Sequence, residues 1–91
     1  MPLDGTLQEV EYGTILNAAA DLIEQRGWCQ YQFTRGEQLC LVGAIAKAME
    51  GAPHASVMAY FQKRQRIMNA VHWNDRTGRT KEEVIAALRG L

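Results

Sequence analysis

"HWNDRTGRTKEEVIAALRG", residues 72–90, decides how the chain is read. Its second half is a helix with both ends marked. Thr80 and Glu83 make the Thr-x-x-Glu pattern, in which each side chain accepts the other residue's backbone N–H. Val84, Ile85 and Leu88 supply the buried stripe, and Gly90 the stop. Glu82 and Glu83 suit the positive end of the helix dipole and Arg89 the negative end, while Lys81 opposes it. The first half breaks the pattern, because the large ring of Trp73 is followed at once by Asn74, Asp75, Arg76, Gly78 and Arg79. In one reading the ring plugs the end of a helical bundle. Asn74 and Asp75 then fold back on their own downstream backbone, and Gly78 takes a left-handed turn. In the other, Trp73, Asn74, Asp75, Arg76 and Arg79 form a ligand-facing polar cluster on a rigid platform.

Upstream, "SVMAYFQKRQRIMNAV" predicts a helix over 56–72 with Ser56 as its cap. Val57, Phe61, Met68 and Val71 trace the inward face with Met58 and Ile67 beside them, and Lys63, Arg64 and Arg66 fall outside. "LCLVGAIAKAMEG" is apolar almost all round, which predicts a central buried helix over 38–50 ended by Gly51 and Pro53. Gly43 inside it is destabilising alone, by about 1 kcal/mol relative to alanine, so a compensating close approach is expected there. With Cys40, Ala44 and Ala48 it makes a small-residue groove for a ring or another helix, the run Ala18–Ala20 being the natural partner.

A first helix over 6–26 carries Leu7, Val10, Ile15, Ala18, Ala19, Leu22 and Ile23 on one face. Thr6 and Glu9 offer a capping box, and Gly27 the stop. Residues 28–38 have no helical period, and a single short strand would have no partner. They read as a loop pinned in the core by Trp28 and Phe33. The expectation is a compact all-α, four-helix single domain spanning residues 1–91, with a last helix over 80–89.

The bulk numbers agree. Ninety-one residues support one core, and 47% apolar content separates the chain from disordered sequences. No apolar run approaches the ~18 residues that span a bilayer. The start has neither a basic n-region nor an apolar h-region, so no membrane partner and a cytoplasmic location are expected. Cys29 and Cys40 read as reduced, buried small residues, a single bridge across the short loop being the alternative. Residues 1–26 hold five carboxylates against Arg26, a net of −4, and residues 27–91 hold nine basic and five acidic side chains, a net of +4. Such a molecule is dipolar, and overall charge does not favour nonspecific nucleic-acid binding. A chain this small gains from burying further surface in a homodimer.

"AADLIEQRGW" at 19–28, "CLVGAI" at 40–45, "WND" at 73–75 and "GRTKEEVIAAL" at 78–88 together resemble a family of small helical proteins of unknown function from actinobacteria and their phages. The resemblance implies Trp28, Cys40, Gly43, Trp73, Asn74, Asp75, Gly78, Arg79 and Thr80 as signature positions. It brings no activity with it. The segment before Cys40 is shorter here than in many members.

Catalytic chemistry finds little support. Cys29, Cys40, His54 and His72 stand singly and match no zinc spacing, so no metal and no cofactor are expected. Cys40 near a helix start would have a lowered pKa, and with His72 and Asp75 a thiol triad can be drawn; a buried structural cysteine is the favoured reading. The glycines fit no phosphate loop. "QKRQR" at 62–66 suggests a basic face of Lys63, Arg64 and Arg66, extended by Arg76 and Arg79, that would grip phosphates. The leading expectation is a non-enzymatic helical module that binds a protein partner, a host protein in a phage-like setting. A small nucleic-acid binder is the alternative.

Overall fold

Three of the described helices end where the next residue, Gly27, Arg66 or Gly90, turns left-handed. The computed structural model describes residues 9–50 and 55–91. The Thr6–Glu9 capping box and the stop at Gly51 and Pro53 fall outside the described side chains. Helix α1 (Glu9–Arg26) closes with Gly27 at φ +97°, whose N–H reaches the Ile23 carbonyl at 2.8 Å. A hairpin of β1 (Thr34–Arg35) and β2 (Gln38–Leu39) precedes α2 (Leu41–Ala48). Then come α3 (Ala55–Gln65), α4 (Ala70–Asp75) and α5 (Lys81–Arg89).

The core is one cluster. Leu16, Ala19, Ala20 and Ile23 of α1 meet Leu41, Ala44 and Ile45 of α2, Val57 and Phe61 of α3, and Val84, Ala87 and Leu88 of α5. Helix α1 packs chiefly against α2 and α5. Arg89 ties α5 to α1 by donating to Asp21 at 2.7 Å and to Glu24. Part of the split between an acidic first helix and a basic remainder is thus matched within one chain.

The structure corrects the four-helix expectation in three places. Residues 28–38 are not a bare loop: Thr34 pairs with Leu39 and Arg35 with Gln38 across a turn at Gly36 and Glu37. Leu39 also bridges Trp28, its N–H donating to the Gly27 carbonyl at 3.1 Å. Phe33 is not a core anchor, being 63% exposed. The cause lies in its backbone: the Phe33 carbonyl accepts from Cys40 N–H at 3.0 Å, which turns the ring outward.

The second correction concerns the predicted 56–72 helix, which is two helices. Arg66 adopts φ +57°, and the bonds from Arg66 N–H to Lys63 and from Ile67 N–H to Gln62 (2.8 Å) form a Schellman stop. The chain restarts at Asn69, whose side chain accepts from His72 N–H at 3.0 Å, while Gln62 Oε1 accepts from Ala70 N–H at 2.9 Å. Past the break the helical period is lost, so Met68 is 98% exposed and Val71 is exposed too. The third correction is to α2, which begins at Leu41, since Cys40 is its N-cap, with Sγ accepting from Gly43 N–H at 3.3 Å.

Along the small-residue groove of α2, Ala44 shares the core with Ala19 and Ala20 of α1 as expected, but the space at Gly43 itself receives neither helix nor ring. A Cβ built there would lie 2.2 Å from the Phe33 carbonyl oxygen. Backbone of the 28–38 segment fills it, and that contact seats the hairpin on α2.

The 80–89 expectation holds as read. Thr80 and Glu83 complete the capping box, and Gly90 closes α5 at φ +81°.

A cavity between the hairpin loop and helix four

Asn74 organises the region. It is 1% exposed and uses its whole amide. Oδ1 accepts from the Trp28 indole at 2.7 Å and from Leu41 N–H at 3.0 Å. Nδ2 donates to the Cys29 carbonyl at 3.2 Å and to Asp75 Oδ1 at 3.0 Å. One side chain on α4 thereby fastens the end of α1, the loop and the start of α2. A buried amide with all four positions filled is costly to disturb, because each orphaned partner would lose a bond away from water.

Asp75 and Gln30 extend this lock to the loop. Asp75 Oδ1 accepts from Tyr31 N–H at 2.8 Å, and Gln30 Nε2 donates to the Asn74 and Arg76 carbonyls, each at 3.1 Å. Tyr31 is held at φ +71°, a region a bulky L-residue enters only under constraint. Its ring is 72% exposed. Tyr31, Gln32, Phe33, Cys40, Val71, Asn74 and Asp75 enclose a cavity of about 190 Å³. Its rim is aromatic and aliphatic, and the Asp75 carboxylate stands in its wall.

The expected polar cluster is therefore divided. Asn74 is a structural hub and does not fold back on its own downstream backbone; its partners are groups of residues 28, 29 and 41 and the side chain of Asp75. Trp73 is half-buried against the core, with the Arg79 guanidinium 3.9 Å above its ring. Arg79 also donates from Nε to the Trp73 carbonyl at 2.9 Å and pairs with Glu83 at 3.1 Å. Gly78 takes the left-handed turn at φ +88°, as the first reading required. Of the five, Asn74 and Asp75 line the cavity, Asn74 with its amide fully engaged, and Arg76 is exposed beside it.

The expected basic face is divided too. Lys63 and Arg66 are exposed, but Arg64 is partly buried, donating to the Ala87 and Leu88 carbonyls at 2.9 and 3.1 Å. It caps the end of α5 and lies over the Tyr60 ring.

Both thiols are free and buried. Burial pushes the Cys40 thiol above its ordinary value, outweighing the lowering by the Gly43 and Val42 N–H groups, and the Asp75 carboxylate adds to the rise. This corrects the expectation of a dipole-lowered pKa: the helix start is there, but desolvation wins. Cys29 is raised for the same first reason, then by Cys40. His72 is exposed and does not line the cavity that holds Cys40 and Asp75. Among the described residues no group of three His, Cys, Asp or Glu side chains is arranged to hold a metal ion. No helix there is long and apolar enough to cross a membrane.

The model of DUF6197, a family of unknown function, matches residues 8–91. The chain belongs to this family. No curated protein and no solved structure matches it. The stretches that carried the resemblance are physically joined in the fold: Trp28 bonds Asn74, Cys40 caps the helix of Gly43, and Arg79 covers Trp73. Sequence reasoning missed Gln30, Tyr31 and Val71 as parts of the site. Nothing in a tyrosine announces a left-handed backbone, and Val71 sits at what looked like an inward helical position.

Proposed function

We propose that this DUF6197 chain is a small, non-enzymatic helical module that docks a protein partner on the face formed by residues 31–33 and α4. One observation carries the reading: Tyr31 is held in a strained backbone by Asp75, with its ring outward at the cavity mouth. Strain of this kind is kept where the surroundings enforce it, and it clusters at binding sites. Phe33 and Val71 add exposed apolar surface to the same rim, over a floor made rigid by Asn74. Large rings presented on a stiff support lose little entropy on binding. The raised pKa of the buried Cys40 thiol and the exposure of His72 outside the cavity lining favour recognition over thiol catalysis. In the setting that the resemblance implies, actinobacteria and their phages, the partner is a host protein met in the cytoplasm.

The nucleic-acid alternative draws on Lys63, Arg66 and Arg76, because Arg64 and Arg79 are engaged inside the fold. Two assays separate the readings. Amide-detected NMR with a library of small aromatic and aliphatic fragments should move the signals of Tyr31, Phe33, Val71 and Asp75; fragments clustering elsewhere would refute the docking face. Labelled DNA and RNA should migrate unchanged at low salt, and a salt-sensitive shift lost in a Lys63, Arg66 and Arg76 triple alanine variant would favour the alternative.

A further inference from the structure

The docking face has a chemical preference, because its carboxylate is only half used. Asp75 Oδ1 accepts two N–H groups, from Tyr31 at 2.8 Å and Asn74 at 3.0 Å, whereas Oδ2 has no donor among the described residues. None of the ion pairs formed among the described residues includes Asp75. The surrounding wall is the Tyr31 and Phe33 rings, Val71 and the uncharged Cys40 thiol. An electron-rich rim with a carboxylate in a small recess is complementary to a cation on an aliphatic stem. The rings attract it through their faces and cover its methylenes, while the carboxylate takes its N–H donors.

Resting on the docking reading, we infer that the cavity takes a lysine or arginine side chain projecting from the partner protein. The about 190 Å³ of space suits one such side chain and excludes a folded element, so the rest of the partner lies across the exposed rings. Arg35 and Arg76 are exposed nearby, yet neither lines the cavity nor pairs with Asp75. They oppose an extended basic stretch and favour a single cationic anchor set among apolar residues.

The test is a random-peptide display selection on the full chain, followed by titration of synthetic hits. Selected peptides should share one Lys or Arg flanked by apolar residues. Replacing that residue in the peptide by norleucine or citrulline should weaken binding about tenfold or more. Asp75→Asn should do the same, since the amide keeps an oxygen for Tyr31 N–H and removes only the charge. Phe33→Ala, at an exposed side chain, should weaken the same peptides. Should Asp75→Asn disturb the fold, the peptide-side substitutions still decide the matter. Peptides that need Phe33 but carry no cation, and bind Asp75→Asn as well as wild type, would overturn the cation and leave the docking face standing. If no hit depends on Phe33, or if sedimentation shows a dimer that Phe33→Ala dissociates, both readings fall.

Discussion

Replacing Asn74 by alanine tests the centre of the structure. The substitution orphans Leu41 N–H and the Cys29 carbonyl in the interior, and frees the Trp28 indole from its 2.7 Å bond. The interior donor left unsatisfied costs about 1–3 kcal/mol, and the carbonyl, whose loss is milder than a donor's, and the partly exposed indole about 1 kcal/mol each, so the loss should be about 3–5 kcal/mol. A chain of this length has a total stability of roughly 5–14 kcal/mol, so the variant should fold, but marginally. Urea denaturation followed by tryptophan fluorescence reads this directly, because the Trp28 indole is one of the partners. The midpoint should fall by roughly 2–4 M. Asn74→Asp sharpens the argument. It keeps the shape and the acceptor, but places an oxygen where Nδ2 now faces the Cys29 carbonyl and the Asp75 carboxylate. It should lose about as much stability as alanine although the number of heavy atoms is unchanged. A loss below about 1 kcal/mol in both variants would refute the hub.

Other perturbations probe the elements around it. Gly43→Ala gains about 1 kcal/mol of helix propensity but drives a methyl to 2.2 Å from the Phe33 carbonyl, a backbone atom that cannot swing aside; a net loss of about 1–3 kcal/mol is expected from urea midpoints, and an unchanged or raised midpoint would show that the hairpin is loosely seated. Thr80→Ala removes the N-cap of α5 and should cost about 1 kcal/mol by thermal melting. The Thr80 backbone N–H, helped by Arg79, holds the Glu83 carboxyl below its ordinary value. Glu83 therefore contributes stability above the ordinary carboxyl range and loses it as pH falls through the depressed folded value; Glu83→Gln should flatten that part of the acid melting curve. Alkylation of native Cys40 by iodoacetamide should rise only at a pH above that of an unburied thiol and become fast on denaturation, and ready labelling at neutral pH would contradict its burial.

Local signals in the chain were enough for the helix ends that carry their own chemistry. The Thr80–Glu83 box, the stops at Gly27 and Gly90 and the turn at Gly78 form as the residues dictate, because every bonding partner lies within a few positions. The apolar stripe of α5 and the apolar run of α2 likewise assign buried helices, whereas the face expected on α1 held Ala19 and Ile23 but left out Leu16 and Ala20, which are fully buried. Tertiary structure decided the rest. The helix breaks at Arg66 without glycine or proline, since Gln62 and Asn69 supply caps only when α4 can pack back on the core. Residues 34–39 pair because the Gly43 surface admits the Phe33 carbonyl, a contact ten positions away in sequence. Asn74 looked like a turn former and is a buried hub, as three of its four partners stand 33 to 46 residues upstream. A polar side chain does not declare whom it will bond; a hydrogen bond's donor and acceptor must first be brought within 3 Å or so, and only the packed chain does that.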